Sequence, residues 1–544
     1  MNNKNLIITC ALPYANGSIH LGHLVEHIQA DIWVRFKKMQ RFNCHFICAD
    51  DTHGTPVMLK AEELGITPEE MIANVQKEHM ADFKDFNIDF NHYYTTHSAE
   101  SKDLVYDIYK KLQDANKILK KDIQQLFDET KQIFLPDRFI KGTCPKCRAT
   151  DQYGDSCEVC GAIYAPTDLI DYYSTISGDK PVLKTSEHYF FKLSECGEFL
   201  KEWLNTDKRI QTDAKNKMQE WLESGLQDWD ISRDKPYFGF EIPGTSGKYF
   251  YVWLDAPVGY LGTLLNYCKN NKIDFDNLLN SPDTELYHFI GKDILYFHAL
   301  FWPSVLHYSG YKTPTSLFVH GFLTVNGQKM SKSRGTFITA RKYIESELNP
   351  TFFRYYIASK STNRIEDIDL SLDDFMARIN SELVGKFINI AARSSSFLHK
   401  IFAGKLATNI TDTELLNKVI AIKDDVSALY EDREYAKAIK LIMSVIDEIN
   451  LYVDNVKPWV LAKEEGKTEE LHQVCSILIN AFRYITIYLK PVIPSLATDI
   501  EQFLNIKELS WHDLNILLLD HTINPYNHLI TRIDPKLIAN LTET

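Results

Sequence analysis

The stretch LIITCALPYANGSIHLGHLVEHIQADI, Leu6 to Ile32, decides the fold class. Leu6 to Ala11 reads as a short buried strand, which Pro13 ends. Asn16-Gly17 then turns the chain, Ser18 is the expected N-cap, and Leu21, Leu24, Val25, Ile28 and Ile32 recur at helical spacing. A second apolar run, His45 to Ala49, ends at the acidic pair Asp50-Asp51. Strand, helix, strand in close succession predicts an α/β fold built on a parallel sheet, with ligands at the carboxyl ends of its strands.

Moving outward, the pattern changes between Lys117 and Trp229, where the only cysteine cluster lies and helical periodicity is sparse before Lys215 to Leu226; this segment reads as an insertion. Strands are expected again at Tyr249 to Leu254, Leu286 to Ile290 and Ser316 to Val319. From about Asn380 strand signals nearly vanish, and stretches such as Leu415 to Leu429 and Leu471 to Leu489 repeat apolar residues every three or four positions, as a helical bundle does. At roughly 150 residues per domain, 544 residues require several domains. Five segments follow: 1–116, the first half of the sheet domain; 117–229, the insertion; 230–325, the second half of the sheet domain; 326–385, a loop and connecting segment; and 386–544, the bundle.

Composition sets outer limits. Hydrophobic residues at 44% and charged residues at 24% describe a folded globular chain rather than a disordered one. A net charge of -13 repels polyanions on average, which argues against indiscriminate nucleic-acid binding but leaves room for a local surface that reads one RNA. No signal peptide or membrane span is visible, and ten cysteines, six of them scattered singly, do not form a secreted disulfide framework. A cytoplasmic protein without membrane partners is expected.

Three motifs carry chemistry. Cys144-Pro-Lys-Cys147 and Cys157-Glu-Val-Cys160 are two Cys-x-x-Cys knuckles, able to offer four thiolates to one Zn²⁺ as a closed structural site. Redox dithiols are the competing reading. His20-Leu-Gly22-His23 places two imidazoles on one face of the first helical turn, beside backbone N–H groups that suit a phosphate, and Gly22 leaves room for a base or ribose. Lys329-Met330-Ser331-Lys332-Ser333, flanked by Gly327 and Gly335, is a basic loop able to grip a polyphosphate leaving group. Either phosphate motif alone reads equally well as solvated surface.

Together, His20-Leu-Gly-His23 and Lys329-Met-Ser-Lys-Ser333 resemble the HIGH and KMSKS signatures of class I aminoacyl-tRNA synthetases. Thr9 to His23, Phe46-Ile-Cys-Ala-Asp-Asp51, Trp253-Leu-Asp-Ala-Pro257 and Tyr287-His-Phe-Ile-Gly-Lys-Asp293 narrow the likeness to the methionyl-tRNA synthetase family, of the bacterial type with a single four-cysteine insertion. Leu21 departs conservatively from the motif's Ile. The chain also ends at Thr544, without the appended domain through which many bacterial members dimerise, so a monomer is expected.

The resemblance implies a Rossmann-type catalytic domain, a zinc-bearing insertion and an all-α anticodon-binding bundle. It also implies ATP-dependent attachment of L-methionine to tRNA through methionyl-adenylate, with Mg²⁺ accompanying ATP. The carried-over roles are catalysis by His20, His23, Lys329 and Lys332, with Gly22, Met330, Ser331 and Ser333 completing the ATP site. Methionine would meet Leu12, Tyr14, Asp51, Trp253, Ala256, Pro257, Tyr260, Phe297 and His298, with Asp51 on the α-amino group and Leu12 and Tyr260 at the thioether. Trp302 is a weaker candidate for the pocket wall and Arg233 a structural one. Asn389, Arg393 and Trp459 would read the CAU anticodon of initiator and elongator tRNAs. Another class I synthetase, of the leucine, valine, isoleucine or cysteine group, shares the two signatures but not the pocket sequences. A zinc-ribbon RNA-binding protein without catalysis would have no reason to keep both phosphate elements.

Overall fold

The computed structural model describes residues 4–154, 156–162, 164–330 and 336–542. Ser331, Lys332 and Ser333 of the basic loop lie outside these. The central sheet consists of β1 (Asn5–Cys10), β2 (Asn43–Asp50), β3 (His92–Thr95), β4 (Thr284–Gly291) and β5 (Ser316–His320), in the order β5-β4-β1-β2-β3. Every neighbouring pair is parallel. The chain builds outward from β1 to one side and later returns to the other as β4, so the order reverses between β1 and β4, and the crevice at their carboxyl ends is where such a sheet accepts ligands.

Helix α1 (Leu21–Met39) is buried along most of its length, including Glu26, His27 and Asp31. It lies between the sheet and the C-terminal helices: Trp33 Nε1 donates to Glu431 O at 3.3 Å and Tyr435 Oη to Gln29 O at 2.9 Å. Its N-cap is His20, not Ser18. Residues 19–21 are held by the distant segment 338–340, which delays the helix start: Leu21 N donates to Ile338 O at 3.0 Å and Ala340 N to Ile19 O at 2.8 Å.

Helices α2 (Thr55–Leu64), α3 (Pro68–Asp85) and α4 (Ala99–Asp114) complete the first half of the domain. The chain then leaves the sheet. Ile118–Asp128 and Val182–Phe191 pair antiparallel along almost their whole lengths as a stalk. Between them a three-stranded sheet of Ile140–Thr143, Gln152–Tyr153 and Ile170–Ser174 frames the cysteines. The sparse helical signal between the stalk and Trp229 corresponds to two helices, Gly197–Asn205 and Thr212–Ser224.

The expected strand at Tyr249 to Leu254 is half helix. Only Lys248–Phe250 is extended, antiparallel to Ser232–Asp234, and α5 (Val252–Asn271) begins directly after it. An apolar run buried on all sides shows no periodicity, so it reads alike as strand or helix. Past β5, Leu323–Val325 pairs with Gln328–Lys329 and with Ile368–Leu370. Beyond Leu370 the described residues form helices and no further strand; Leu415 to Leu429 spans two of them, Glu414–Ala421 and Lys423–Glu431. No helix among the described residues is long and apolar enough to cross a membrane.

Candidate active site and metal centre

The two motif histidines form a reciprocal cap. His20 Nδ1 accepts the His23 backbone N–H at 3.3 Å, and His23 Nδ1 accepts that of His20 at 3.3 Å. The rings stack with centroids 3.7 Å apart. Burial drives both toward the neutral form: His20 is lowered to about 4, and His23 falls well below the ordinary range through burial and then the nearby His20, His27 and His79. With Nδ1 an acceptor on each ring, the remaining proton sits on Nε2, and both rings present N–H donors away from the backbone. This narrows the expectation of free main-chain amides: the N–H groups of His20, Leu21 and His23 are taken, and the two imidazoles add side-chain donors at the same turn.

The two distant phosphate motifs meet here. A Cβ on Gly22 would lie 2.7 Å from Met330 Cε and 3.0 Å from the His20 ring, so glycine is what lets the basic loop's Met330 lie over the helix start. Phe337 packs edge-on to His20 at 5.1 Å, and Thr336 Oγ1 donates to Lys329 O at 2.9 Å. Lys329 itself is exposed at the end of its strand.

Beyond the carboxyl end of β2, Asp51 joins the Pro13–Ala15 turn: Asp51 N donates to Pro13 O at 2.8 Å and Ala15 N to Asp51 O at 2.7 Å. Its carboxyl is raised well above the usual range, first by burial and then by the charges of Asp255 and Asp50, and Asp51 Oδ1 is buried without a hydrogen-bond partner. A buried carboxylate in that state calls for a cation.

Tyr14, on the same turn, brackets Asp51, while Leu12 packs beside α5: a Cβ on Gly259 would meet Leu12 Cδ1 at 3.4 Å and Thr96 Cγ2 at 2.5 Å. Along α5 follow Trp253, Ala256, Pro257 and Tyr260. They face Phe297 and His298, which lie in a wide π turn, Phe297–Phe301, that opens into the helix Trp302–Tyr308. The Trp253 and Phe297 rings are 4.8 Å apart.

His298 Nδ1 donates to Ile294 O at 3.1 Å, so its Nε2 accepts from the Tyr260 hydroxyl at 3.0 Å, and burial keeps the ring neutral, lowered to about 4. Trp302 is fully buried and spends its N–H on His288 Nε2 at 3.2 Å. Arg233 lies 3.6 Å over the Tyr251 ring and donates to Asp230 and to Ser232 O.

Sequence reading missed His53, His97 and Asp255. His53 Nδ1 lies 2.7 Å from Asp255 Oδ2, with both side chains essentially unexposed, and His53 Nε2 lies 2.8 Å from His97 Nδ1. Asp255 stands inside the Trp253–Pro257 stretch already singled out, yet nothing local marks it as half of a buried pair.

In the insertion the Cys144 and Cys160 sulfurs are 3.8 Å apart and those of Cys147 and Cys157 3.5 Å, with all four within 4.8 Å of one another. A tetrahedron with metal–sulfur bonds of about 2.3 Å has edges of nearly this length. Each knuckle turns on a left-handed residue, Arg148 or Gly161, and the backbone N–H of Cys147 and of Cys160 points at the sulfur of its partner three residues earlier. The donor set fits a thiophilic divalent metal. In the bundle, Arg393 Nη1 pairs with Asp454 Oδ1 at 3.2 Å; Asn389 is half-buried four residues before Arg393 on the same helix; and Trp459 keeps 39% of its surface exposed beside the equally exposed Val460.

The family described as tRNA synthetases class I (M) matches residues 6–395, and the anticodon-binding domain of tRNA ligase matches residues 412–525. Methionine–tRNA ligase of Chromobacterium violaceum is 57% identical over 100% of this chain and 80% of the relative, and that of Neisseria meningitidis serogroup B is 57% identical over 99% and 80%. The fold superposes on Mycobacterium tuberculosis methionyl-tRNA synthetase bound by methionyl-adenylate with a TM-score of 0.80 at 22% identity, covering 97% of this chain and 100% of that one. Sequence likeness across the whole chain, on a sheet that joins the paired histidines to the basic loop, shows that this chain belongs to the methionine–tRNA ligase family of class I tRNA synthetases.

Proposed function

We propose that the chain activates L-methionine with ATP and transfers it to tRNAs bearing a CAU anticodon. The observation that carries this is the meeting of the His20–His23 pair with Met330 at the carboxyl end of the sheet, where Asp51 holds a buried Oδ1 without a hydrogen-bond partner. Methionine's carboxylate oxygen attacks the α-phosphorus of ATP as the bond to the pyrophosphate oxygen breaks, and a terminal ribose hydroxyl of the tRNA, losing its proton, then takes the acyl group as the acyl–phosphate bond breaks and AMP leaves. The nucleophile is already an anion, so catalysis rests on positioning and on donors aimed at phosphate oxygens. The Nε2–H groups of His20 and His23 serve as those donors, with Gly22 and Met330 shaping the nucleotide's side of the crevice.

Lys329, with Lys332, Ser331 and Ser333 beyond the described residues, follows charge onto the departing pyrophosphate, part of which Mg²⁺ accompanying ATP would neutralise. Asp51 takes the ammonium. Leu12, Tyr14, Trp253, Ala256, Pro257, Tyr260, Phe297 and His298 enclose a side chain whose thioether asks only for soft, aromatic surroundings. Cys144, Cys147, Cys157 and Cys160 would hold one structural Zn²⁺, and Asn389, Arg393 and Trp459 the anticodon. All ten cysteines are free, which suits a reducing cytoplasm. Pyrophosphate exchange into ATP across a panel of amino acids tests the reading: exchange driven by methionine is expected, and exchange driven by leucine, valine, isoleucine or cysteine but not methionine would overturn it.

A further inference from the structure

Asp51 is not the only buried carboxylate without enough partners. Asp255 Oδ1 is equally buried and unbonded, and the charge of Asp255 acts on Asp51 while both act on the Tyr14 phenol, which sets the two carboxylates around one ring. The third acid of the group, Asp50, also leaves Oδ2 buried and unbonded, but its Oδ1 is held by His79 at 2.7 Å and by the Tyr93 hydroxyl. Asp255 is balanced only by His53. The far nitrogen of His53 is bonded to His97, which lies between the rings of Phe238 and Phe240 and lines a surface cavity of about 450 Å³ together with Lys102, Tyr106, Glu241 and Tyr249. A continuous hydrogen-bonded chain therefore runs from the buried dicarboxylate to solvent.

We propose that His53 and His97 are positioning residues that release a proton to solvent as methionine's ammonium group binds, so that Asp255 shares that cation with Asp51. This rests on the proposed function above. His53 Nδ1 carries a proton toward Asp255 in either state, and the 2.8 Å bond between His53 Nε2 and His97 Nδ1 holds one proton. With an extra proton, His53 is a cation donating on both sides. When the ammonium arrives as a second cation, the Nε2 proton passes to His97 Nδ1, and the proton on His97 Nε2 leaves to water in the cavity.

The other groups facing this path are few. His97 meets Glu69 of α3 and Lys102 of α4; the Asp255 end meets Asp51, Tyr14 and Tyr237. Burial, with the neighbouring His53 and Lys102, lowers His97 from its ordinary range, which favours release at the outer end. A cation placed at the inner end of this chain disfavours a second cation on it and should expel a fraction of a proton for each methionine bound.

Calorimetry of L-methionine binding to the full chain, in phosphate and in Tris between about pH 6 and 7.5, counts that proton. Release of a fraction of a proton is expected. It should vanish in His53→Asn, which keeps a donor for Asp255, and in His97→Asn, which keeps one for His53; both variants are checked by melting. The desamino analogue of methionine, which brings no cation, should release none from the unaltered protein. Binding heats independent of buffer overturn the proposal while leaving methionine recognition intact. Release that persists in both variants assigns the proton to the Asp51 carboxyl and also overturns it, as does equal release by the desamino analogue. No methionine binding at all would remove the proposed function and this inference together.

Discussion

A neutral imidazole that accepts a backbone N–H through Nδ1 must carry its proton on Nε2, and in this chain that constraint turns a helix cap into a pair of outward N–H donors, the ones proposed above to meet phosphate. The cap and the donor can be separated. Asparagine is among the best N-caps and its amide oxygen can stand where Nδ1 stands, but it has nothing at Nε2. His20→Asn should therefore leave the melting temperature within a few degrees and slow methionine activation by about 10²–10³, the usual consequence of losing one preorganised donor; a Tm that falls as steeply as the activity would reassign His20 to structure. The same neutrality has a pH consequence. His20 is held at about 4, below its unfolded value of 6.5, so the folded state binds fewer protons than the unfolded one between those limits, and stability declines as pH falls through that window.

Elements differ in how much of them their own residues announce. The β1–α1 unit and the two cysteine knuckles were legible because their signals are local: an apolar run, a turn dipeptide, helical spacing, and thiols three positions apart. The start of α1 was not, because its cap is fixed by residues 338–340, and α5 was not, because a helix enclosed on all sides loses its amphipathic stripe. The His53–Asp255 pair, 202 residues apart, had no sequence signal beyond two polar residues in apolar company.

The knuckle sheet tests the local kind of inference. Its short strands cover little apolar core, Leu126, Ile133, Leu135, Ile140 and Leu169, so the metal should supply much of its stability. Cys147→Ser opens the coordination shell: bound zinc should fall below one per chain by elemental analysis, and tRNA charging should drop more than adenylate formation, since the insertion stands outside the sheet domain. A full zinc complement in the variant would reject the ligand assignment.

At the scale of the whole molecule the question is how a bundle that meets an anticodon stays in register with the crevice. Exposed Trp459 belongs to the outer end of that problem: if, as proposed, an anticodon base stacks on it, the contact contributes about 1–3 kcal/mol, and Trp459→Ala should weaken tRNA charging by one to two powers of ten while activation and melting hold. A core tryptophan would instead cost about 3–5 kcal/mol of stability, and its exposure argues against that role.

The inner end is Arg354, fully buried, whose guanidinium donates to Asp31 of α1 at 2.6 Å and to the carbonyls of Phe86, Asn87, Pro491 and Val492. One side chain thus ties the helix that carries His23 to the chain after α3 and to the turn that follows the helix Thr468–Leu489. Asp31 also holds Arg35 at 2.7 Å, so one carboxylate pairs with two cations, and burial lowers Arg354 to about 10 without discharging it at neutral pH. Asp31→Asn leaves that charge unpaired in the interior and should cost about 3–5 kcal/mol. Arg354→Met removes the cation but strands the carbonyls, each worth about 1–3 kcal/mol when left unsatisfied. The double variant has neither the buried charge nor its partner, so its loss in denaturant unfolding should be smaller than the sum of the single losses by at least about 1 kcal/mol. Additive losses would mean that Asp31 and Arg354 act separately and that the joint between crevice and bundle lies elsewhere.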